Sequence, residues 1–308
     1  MLRFIAIRFA QAVPVLLIIS IVTFAMIKAV PGGPFDKEKK VPEEVERALN
    51  EYYHLDETTA TQYWIWLKNV TTRGDFGPSM KYSNRSVNEI IAASFPISLQ
   101  LGVMGICIAL TLGLGAGIVA SIRPNSAWDY IPMSFAMIGI CVPRFVIGPL
   151  FMLMFAINWE WYNASGWFFW SDRVLPALTL GIFYAAYVAR LTRGGMLEVL
   201  GQDYIRTARA KGASEMRVIL RHALRGGIRP VVSYFGPAMA NLLAGSFIVE
   251  KIFSIPGLGT FFITSISNRD YPMIMGTVLF YSVLIISLNL LADIVLVWLN
   301  PKLRFNES

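Results

Sequence analysis

Charged residues are scarce in this chain. Asp, Glu, Lys and Arg make up 15% of its 308 residues, 55% are hydrophobic, and the mean hydropathy is +0.54. A soluble domain of this length carries more charge and shorter apolar runs, so the composition excludes that class and points to an all-α polytopic membrane protein. Cysteine and histidine are nearly missing, with two of each. Cys107 and Cys141 fall in separate apolar runs, too far apart for a metal-ligand motif, and read as inert packing thiols. His54 and His222 lie in different polar stretches, which makes His54 a surface or packing residue. Three catalytic or nucleotide patterns are also missing: no GxxxxGK[ST], no HExxH and no GxSxG occurs. The chain is therefore expected to be no enzyme, to bind no metal or cofactor of its own, and not to be a membrane-embedded hydrolase. Intramembrane acids are as rare, Asp293 being the one clear case, and no internal repeat is visible, which counts against an ion-coupled secondary transporter.

Long apolar runs are what the chain does have. The first, 9–27, is an uncharged stretch long enough to span a hydrocarbon core and longer than the apolar region of a cleaved signal peptide. Five more follow at about 96–120, 130–157, 174–189, 231–249 and 273–299. The third holds Pro132, Pro143 and Pro149, so kinks are expected there. The second holds GLGAG at Gly113 to Gly117, a GxxxG spacing that permits close helix approach without naming the partner helix. The domain scheme is a first span at 1–30, an extracytoplasmic cap at 31–95 with two helical patterns, a five-helix core at 96–300 and a tail at 301–308. Trp159, Trp161, Trp167 and Trp170 cluster in one outer loop and fit an aromatic belt at the lipid headgroups.

The net charge of +7 is distributed by topology rather than gathered for nucleic acid. Between Arg190 and Arg229 there are nine Lys and Arg against three acids, and both termini carry basic residues. That asymmetry puts the loop 190–230, the N-terminus and the C-terminus in the cytoplasm. Within the loop, Asp203 suits the start of a short helix running through Lys211, and Gly212 the left-handed residue that ends it. Ser214 then suits the cap of a second helix, with Met216, Ile219, Leu220, Ala223 and Leu224 on one apolar stripe. Arg217, Arg221 and Arg225 line a neighbouring face, and Gly226, Gly227 and Pro230 end the helix. Such a helix either sits in another protein's groove or rests on anionic membrane lipid. Five polar residues in or beside the spans are candidates for a translocation path or gate. Arg144 faces a solute route, where it attracts carboxylates, or forms a structural pair with Asp293 or a carbonyl. Asn241 and Ser246 touch a solute or bond a neighbouring helix. Glu250 gates, or pairs with Lys251 or Arg269. Asp293 makes a polar contact near the cytoplasmic half of the last span.

RTARAKG at 206–212, followed by a basic helix and a proline, resembles the EAA loop of ABC-importer permeases in its dipeptide and oligopeptide branch. HLDETTATQYWIWLKNVTTRGDFGPS, IPGLG, NRDYP and the closing NPKLRF are similar to further signatures of that family, so the resemblance covers essentially the whole chain. It looks like the B-type permease subunit of an oligopeptide importer in a bacterial inner membrane. The resemblance implies a type I ABC importer permease with six transmembrane helices and a small extracytoplasmic domain between helices 1 and 2. It also implies a C-type permease partner, two ABC ATPase subunits that bind ATP and Mg, and an extracytoplasmic peptide-binding protein. Alternating access is the implied mechanism, and Arg206, Thr207, Ala208, Lys211, Gly212, Ala213 and Ser214 the implied ATPase-coupling residues. Thr207, Ala208 and Gly212 match the general motif, whereas Arg206 stands where that motif has Glu, and 212–230 is longer than the general spacing. Relatives of this kind carry dipeptides, oligopeptides, nickel complexes, glutathione or peptide antibiotics.

Overall fold

A computed structural model describes residues 2–35, 42–244 and 246–299. The predicted tail at 301–308 and the NPKLRF ending from Asn300 onward lie outside these residues, as does the cap between 36 and 41. The described chain is helical, with a single isolated bridge between Pro78 and Ser86. In order the helices are α1 (Leu2–Ala29), α2 (Glu43–Tyr52), α3 (Thr59–Arg73), α4 (Val87–Ile122), α5 (Ala127–Cys141), α6 (Arg144–Phe151) and α7 (Val174–Leu200). Then come α8 (Asp203–Ala210), α9 (Glu215–Arg217), α10 (Leu224–Gly227), α11 (Arg229–Ala244), α12 (Phe247–Ile252), α13 (Leu258–Asn268) and α14 (Tyr271–Leu299). Wide π turns extend α6 through Met152–Asn158 and join α9 to α10 through Val218–Ala223.

Among the described residues four helices are long and apolar enough to cross a membrane, five if the bent pair at Ala127–Cys141 and Arg144–Asn158 is one span. The expected fifth run, 231–249, is divided between α11 and α12, neither of which has the roughly 20 residues that a span needs. The bend of 109° in the third run falls at Val142, whose backbone is extended because Pro143 follows it.

The chain forms two compact units, residues 1–97 with 257–286, and residues 98–256 with 287–308. In the first, Thr58 caps α3 by accepting from the Thr61 N–H, and Gly74 ends it at φ 64°. α4 starts nine residues before the predicted span. Ser86 and Glu89 form a reciprocal capping box, each side chain accepting from the other's backbone N–H at 3.2 and 3.1 Å. Asp270 joins two of the sequence signatures. Its carboxylate accepts from the Ser79 hydroxyl, from the Met80 N–H at 3.1 Å and from the Met273 N–H in the first turn of α14 at 3.3 Å. The Ser79 oxygen accepts in turn from the N–H groups of Lys81 and Tyr82. GDFGPS and NRDYP thus make one polar knot around a carboxylate that is 1% exposed.

In the second unit the rest of the core gathers on α7, whose apolar stretch is 61% buried against 11% for that of α1. The GxxxG partner is α7: a Cβ on Gly113 would lie 2.7 Å from the Ala185 carbonyl oxygen, and one on Gly117 2.6 Å from that of Ala189. Only glycine admits that approach. Cys107 and Cys141 are exposed on this chain, which corrects their reading as packing thiols. Trp159, Trp161 and Trp170 are exposed, as an aromatic belt requires.

Candidate functional site

The basic loop is built on the end of α7. Ile205, Val218, Ile219 and Ala223 are buried against Met196, with Ala208, Ala213 and Leu224 packed beside them. α8 begins with Asp203 in its first turn and Gln202 at the cap, so Asp203 lies inside the helix instead of capping it. Gly212 has φ 82°, the left-handed turn predicted for it. Ser214 occupies the cap position of α9 with an extended backbone. The expected apolar stripe is divided. Ile219 and Ala223 face inward, while Met216 and Leu220, one turn apart, stand 66% and 54% exposed. The π turn at Val218–Ala223 lets the buried set settle on α7 and rotates the remainder outward. α10 ends at Gly227, as expected, while Pro230 falls in the first turn of α11 instead of ending the helix. Gly227 also crosses α7 closely: a Cβ on Gly195 would lie 2.2 Å from the Gly227 oxygen.

Of the seven predicted coupling residues, Ala208 and Ala213 are half-buried on the loop's own core, whereas Arg206, Thr207, Lys211, Gly212 and Ser214 are exposed. Tyr204, Met216 and Leu220 are apolar groups exposed among Arg206, Arg217 and Arg221. Arg209 donates to Glu215 at 2.8 and 3.2 Å across the Gly212 turn, and this guanidinium holds the Glu215 carboxyl below its usual range.

The five pathway candidates all lie in the second unit, where two of them, Ser246 and Glu250, meet. Arg144 opens α6, with its guanidinium carbon 4.2 Å from the Phe183 ring centroid and 4.9 Å from that of Tyr184. Tyr187 continues this aromatic row on α7 and stacks on Tyr234 of α11 at 5.9 Å. Among the described residues no ion pair joins Arg144 to Asp293, so the expected pair between them is replaced by cation–π contacts. Asn241 is exposed on α11, and Asp293 is half-buried on α14. Ser246 and Glu250 are brought together: both are fully buried, and the Ser246 hydroxyl donates to Glu250 Oε1 at 2.5 Å.

Sequence reasoning missed Asp129. It stands just before the third apolar run, yet the residue is 1% exposed and its carboxylate accepts from Arg193 Nε and a terminal guanidinium nitrogen at 2.6 and 2.7 Å, and from the Asn125 N–H at 3.0 Å. This bidentate pair ties the first turn of α5 to α7, two residues before the Gly195 crossing. The available signal was an acid in a helical first turn and a pair of arginines, Arg190 and Arg193, at the end of a span.

Residues 109–305 match the family described as binding-protein-dependent transport system inner membrane component, and residues 1–102 match its N-terminal model. The chain is 43% identical over 308 residues to the dipeptide transport system permease protein DppB of Bacillus subtilis (strain 168), covering all of both chains. It is 42% identical over 307 residues to the oligopeptide transport system permease protein OppB of Haemophilus influenzae, with 99% of this chain and 100% of the relative covered. Among solved structures, an inward-facing form of the MetNI methionine ABC transporter matches with a TM-score of 0.56 at 16% identity, over 67% of this chain and 94% of the other. An amino acid ABC transporter crystallised with histidines matches with a TM-score of 0.53 at 16% identity, over 68% and 94%. These likenesses place the fold among ABC transporter membrane chains.

Proposed function

Because this chain belongs to the family of binding-protein-dependent transport system inner membrane components, we propose that it is the permease subunit of an ATP-driven peptide importer and supplies half of the translocation pathway. The chain is a multi-pass membrane permease and not an enzyme, as its family is one of membrane components. Peptide cargo is supported by relatives named for dipeptide and for oligopeptide transport, each matched over its full length. The finer architecture belongs to the same reading: a type I importer permease of six transmembrane helices, with a first span at 1–30, a small extracytoplasmic domain at 31–95, a core at 96–300 and a tail at 301–308. Both termini and the loop 190–230 are cytoplasmic. The partners are a C-type permease, two ABC ATPase subunits holding ATP and Mg, and an extracytoplasmic peptide-binding protein.

The observation that carries the coupling role is the division of the loop's apolar residues. Ile205, Val218 and Ile219 fix it to Met196, while Met216 and Leu220 remain exposed beside Arg217 and Arg221. A rigid base bearing an apolar tip and basic flanks is suited to insertion in a groove of another protein. Arg206, Thr207, Ala208, Lys211, Gly212, Ala213 and Ser214 form the turn that presents this tip. Closure of the ATPase pair displaces the loop, and α7 carries the displacement. Twelve residues separate Met196 from Tyr184, about 18 Å along one helix, and at that level Arg144 sits on the aromatic row. Arg144 attracts peptide carboxylates there, and Asn241, Ser246, Glu250 and Asp293 belong to the path or its gate. The energy that biases the two states resides in contacts made by the loop, which differ between the open and closed ATPase pair.

The test is a Met216→Asp/Leu220→Asp variant, which leaves the buried loop core intact. Loss of co-purifying ATPase, with the chain still inserted in the membrane, is the expected result. Undiminished recovery of the ATPase would assign the tip to lipid headgroups instead and overturn the coupling role.

A further inference from the structure

The connection between α4 and α5, residues 123–126, is held in one shape. Asn125 stands in the left-handed region at φ 59°, its N–H donates to the Asp129 carboxylate at 3.0 Å, and the Ser126 hydroxyl donates to the Arg123 carbonyl at 2.6 Å. Asp129 is itself tied to α7 through Arg193, so the turn is fixed to the core and the acid's charge is matched there. What this turn presents is a pocket of about 280 Å³ lined by Val119, Ile122, Arg123 and Trp128. All four residues are exposed. Two aliphatic side chains, an indole and a guanidinium give a lining that is part apolar and part cationic.

A second cavity, of about 510 Å³, lies between the same two helices one helical turn farther from Arg123. Leu112 and Ala116 of α4 and Pro132 and Phe135 of α5 form its sides, and Ala185 and Ala189 of α7 its floor of small side chains. From Arg123 to Leu112 is about 17 Å along α4, close to the roughly 15 Å depth of one leaflet's hydrocarbon. The width also restricts the occupant. A helix with its side chains is about 10 Å across and fills roughly 420 Å³ per turn, so the deeper cavity admits little more than one turn of a neighbouring helix. A flexible acyl chain meets no such limit. Ala185 and Ala189 each lie two residues from Phe183 and Tyr187, about 160° around α7, so the groove is on the face turned away from the aromatic row of Arg144.

We propose that this groove holds one anionic phospholipid of the cytoplasmic leaflet, with its phosphate on Arg123, its glycerol backbone beside Trp128 and one acyl chain between α4 and α5. A basic residue at the cytoplasmic mouth of an apolar groove between spans suits an anionic headgroup, and tryptophan favours the headgroup level. The site goes beyond the import reading. It rests on the chain spanning a membrane with 123–126 on the cytoplasmic side, and not on cargo, ATP or a partner subunit.

The experiment is photolabelling of the full-length chain in phosphatidylcholine nanodiscs that contain a trace of phosphatidylglycerol with a diazirine in one acyl chain. Labelled positions are mapped by peptide mass spectrometry, and labelling at 112–138 is divided by that at 9–27, the apolar span that measures ordinary lipid contact. This ratio is expected to be about fivefold higher for the phosphatidylglycerol probe than for a phosphatidylcholine probe with the same chain, the factor expected of one arginine near a membrane surface. Arg123→Gln is expected to remove the preference and Arg123→Lys to keep most of it. Val119→Trp fills the mouth of the groove and is expected to bring the ratio down to that of the phosphatidylcholine probe, and Ile122→Trp does so should the first variant fail to fold. Equal ratios for the two probes, or an undiminished preference in Arg123→Gln, would overturn the proposal. Labelling at 112–138 that disappears when the chain is purified together with a second permease subunit would assign the groove to a subunit interface and equally overturn the lipid.

Discussion

Asn in place of Asp129 removes one half of the ion pair that joins α5 to α7. The pair is bidentate at 2.6 and 2.7 Å, and the two side chains are 2% exposed for Asp129 and 30% for Arg193. Breaking a fully buried pair on one side costs about 3–5 kcal/mol, because the remaining charge is left uncompensated. Water reaches Arg193, and Asn keeps one acceptor for it, so the expected cost of Asp129→Asn is about 2 kcal/mol, a factor of roughly 30 in the unfolding equilibrium. Arg193→Met leaves the more deeply buried carboxylate with the Asn125 N–H, and costs about 3 kcal/mol. The double variant leaves neither charge, so it is less destabilised than the sum of the singles by roughly 1.5–2 kcal/mol. The assay is equilibrium unfolding of the purified chain in mixed micelles titrated with a denaturing detergent, run on all four members of the cycle. A stability within about 0.5 kcal/mol of the parent for Asp129→Asn, or strict additivity of the two changes, would refute the reasoning.

Three further outcomes follow from the same geometry. Gly212→Val introduces a β-branched side chain at φ 82° with nothing within 4 Å of the new Cβ, so its cost of about 1–2 kcal/mol is conformational. It is expected to lower peptide uptake per ATP hydrolysed in reconstituted vesicles, and full coupling would contradict the role given to the turn. Gly117→Val places a Cβ 2.5 Å from Thr192 Cβ and 2.6 Å from the Ala189 oxygen, so α4 and α7 must separate, at about 1–3 kcal/mol measured in the same micelle titration. Gly115→Val meets nothing within 4 Å and serves as the control. The Glu215 carboxyl is held below its usual value by Arg209, so its stabilising contribution to the loop is fully present above the ordinary carboxyl range and is lost as pH falls through the depressed value. Hydrogen exchange at 203–217, corrected for intrinsic rate, should rise in that acidic window in the parent chain and show no such step in Glu215→Gln.

Much of the fold was legible because its signals are local. The apolar run at 9–27 became α1, Gly212 became a left-handed turn, and Pro143 turned the third run at the residue before it. The capping box at Ser86 and Glu89 was equally local and available to reading, and it explains why α4 begins before its apolar run does. The site was less legible. Helical periodicity put Met216, Ile219, Leu220, Ala223 and Leu224 on one stripe, but periodicity assumes an unbroken α-helix and the π turn shifts the register within it. Gly227 does end its helix, but a lone sequence does not reveal what lies across from it; here that is Gly195 and Met196. Arg144 invited pairing with the remaining intramembrane acid, yet the rings of Phe183 and Tyr184 met its charge first.

The sequence by itself determined that this is a helical membrane protein without nucleotide chemistry of its own, that the connection at 190–230 carries an excess of positive charge, and which short stretches bear the family's signatures. Hydropathy, charge and residue type are summed along the chain, and a membrane responds to those sums. Only the tertiary structure decided that Asp129 meets Arg193, that Asp270 gathers Ser79 and the start of α14, and that Ile205, Val218, Ile219 and Ala223 are spent on Met196 while Met216 and Leu220 remain exposed. Each of these depends on atoms brought within about 3–4 Å from segments distant in sequence or on a local change of helical register, and interactions of that range are set by packing rather than by order along the chain.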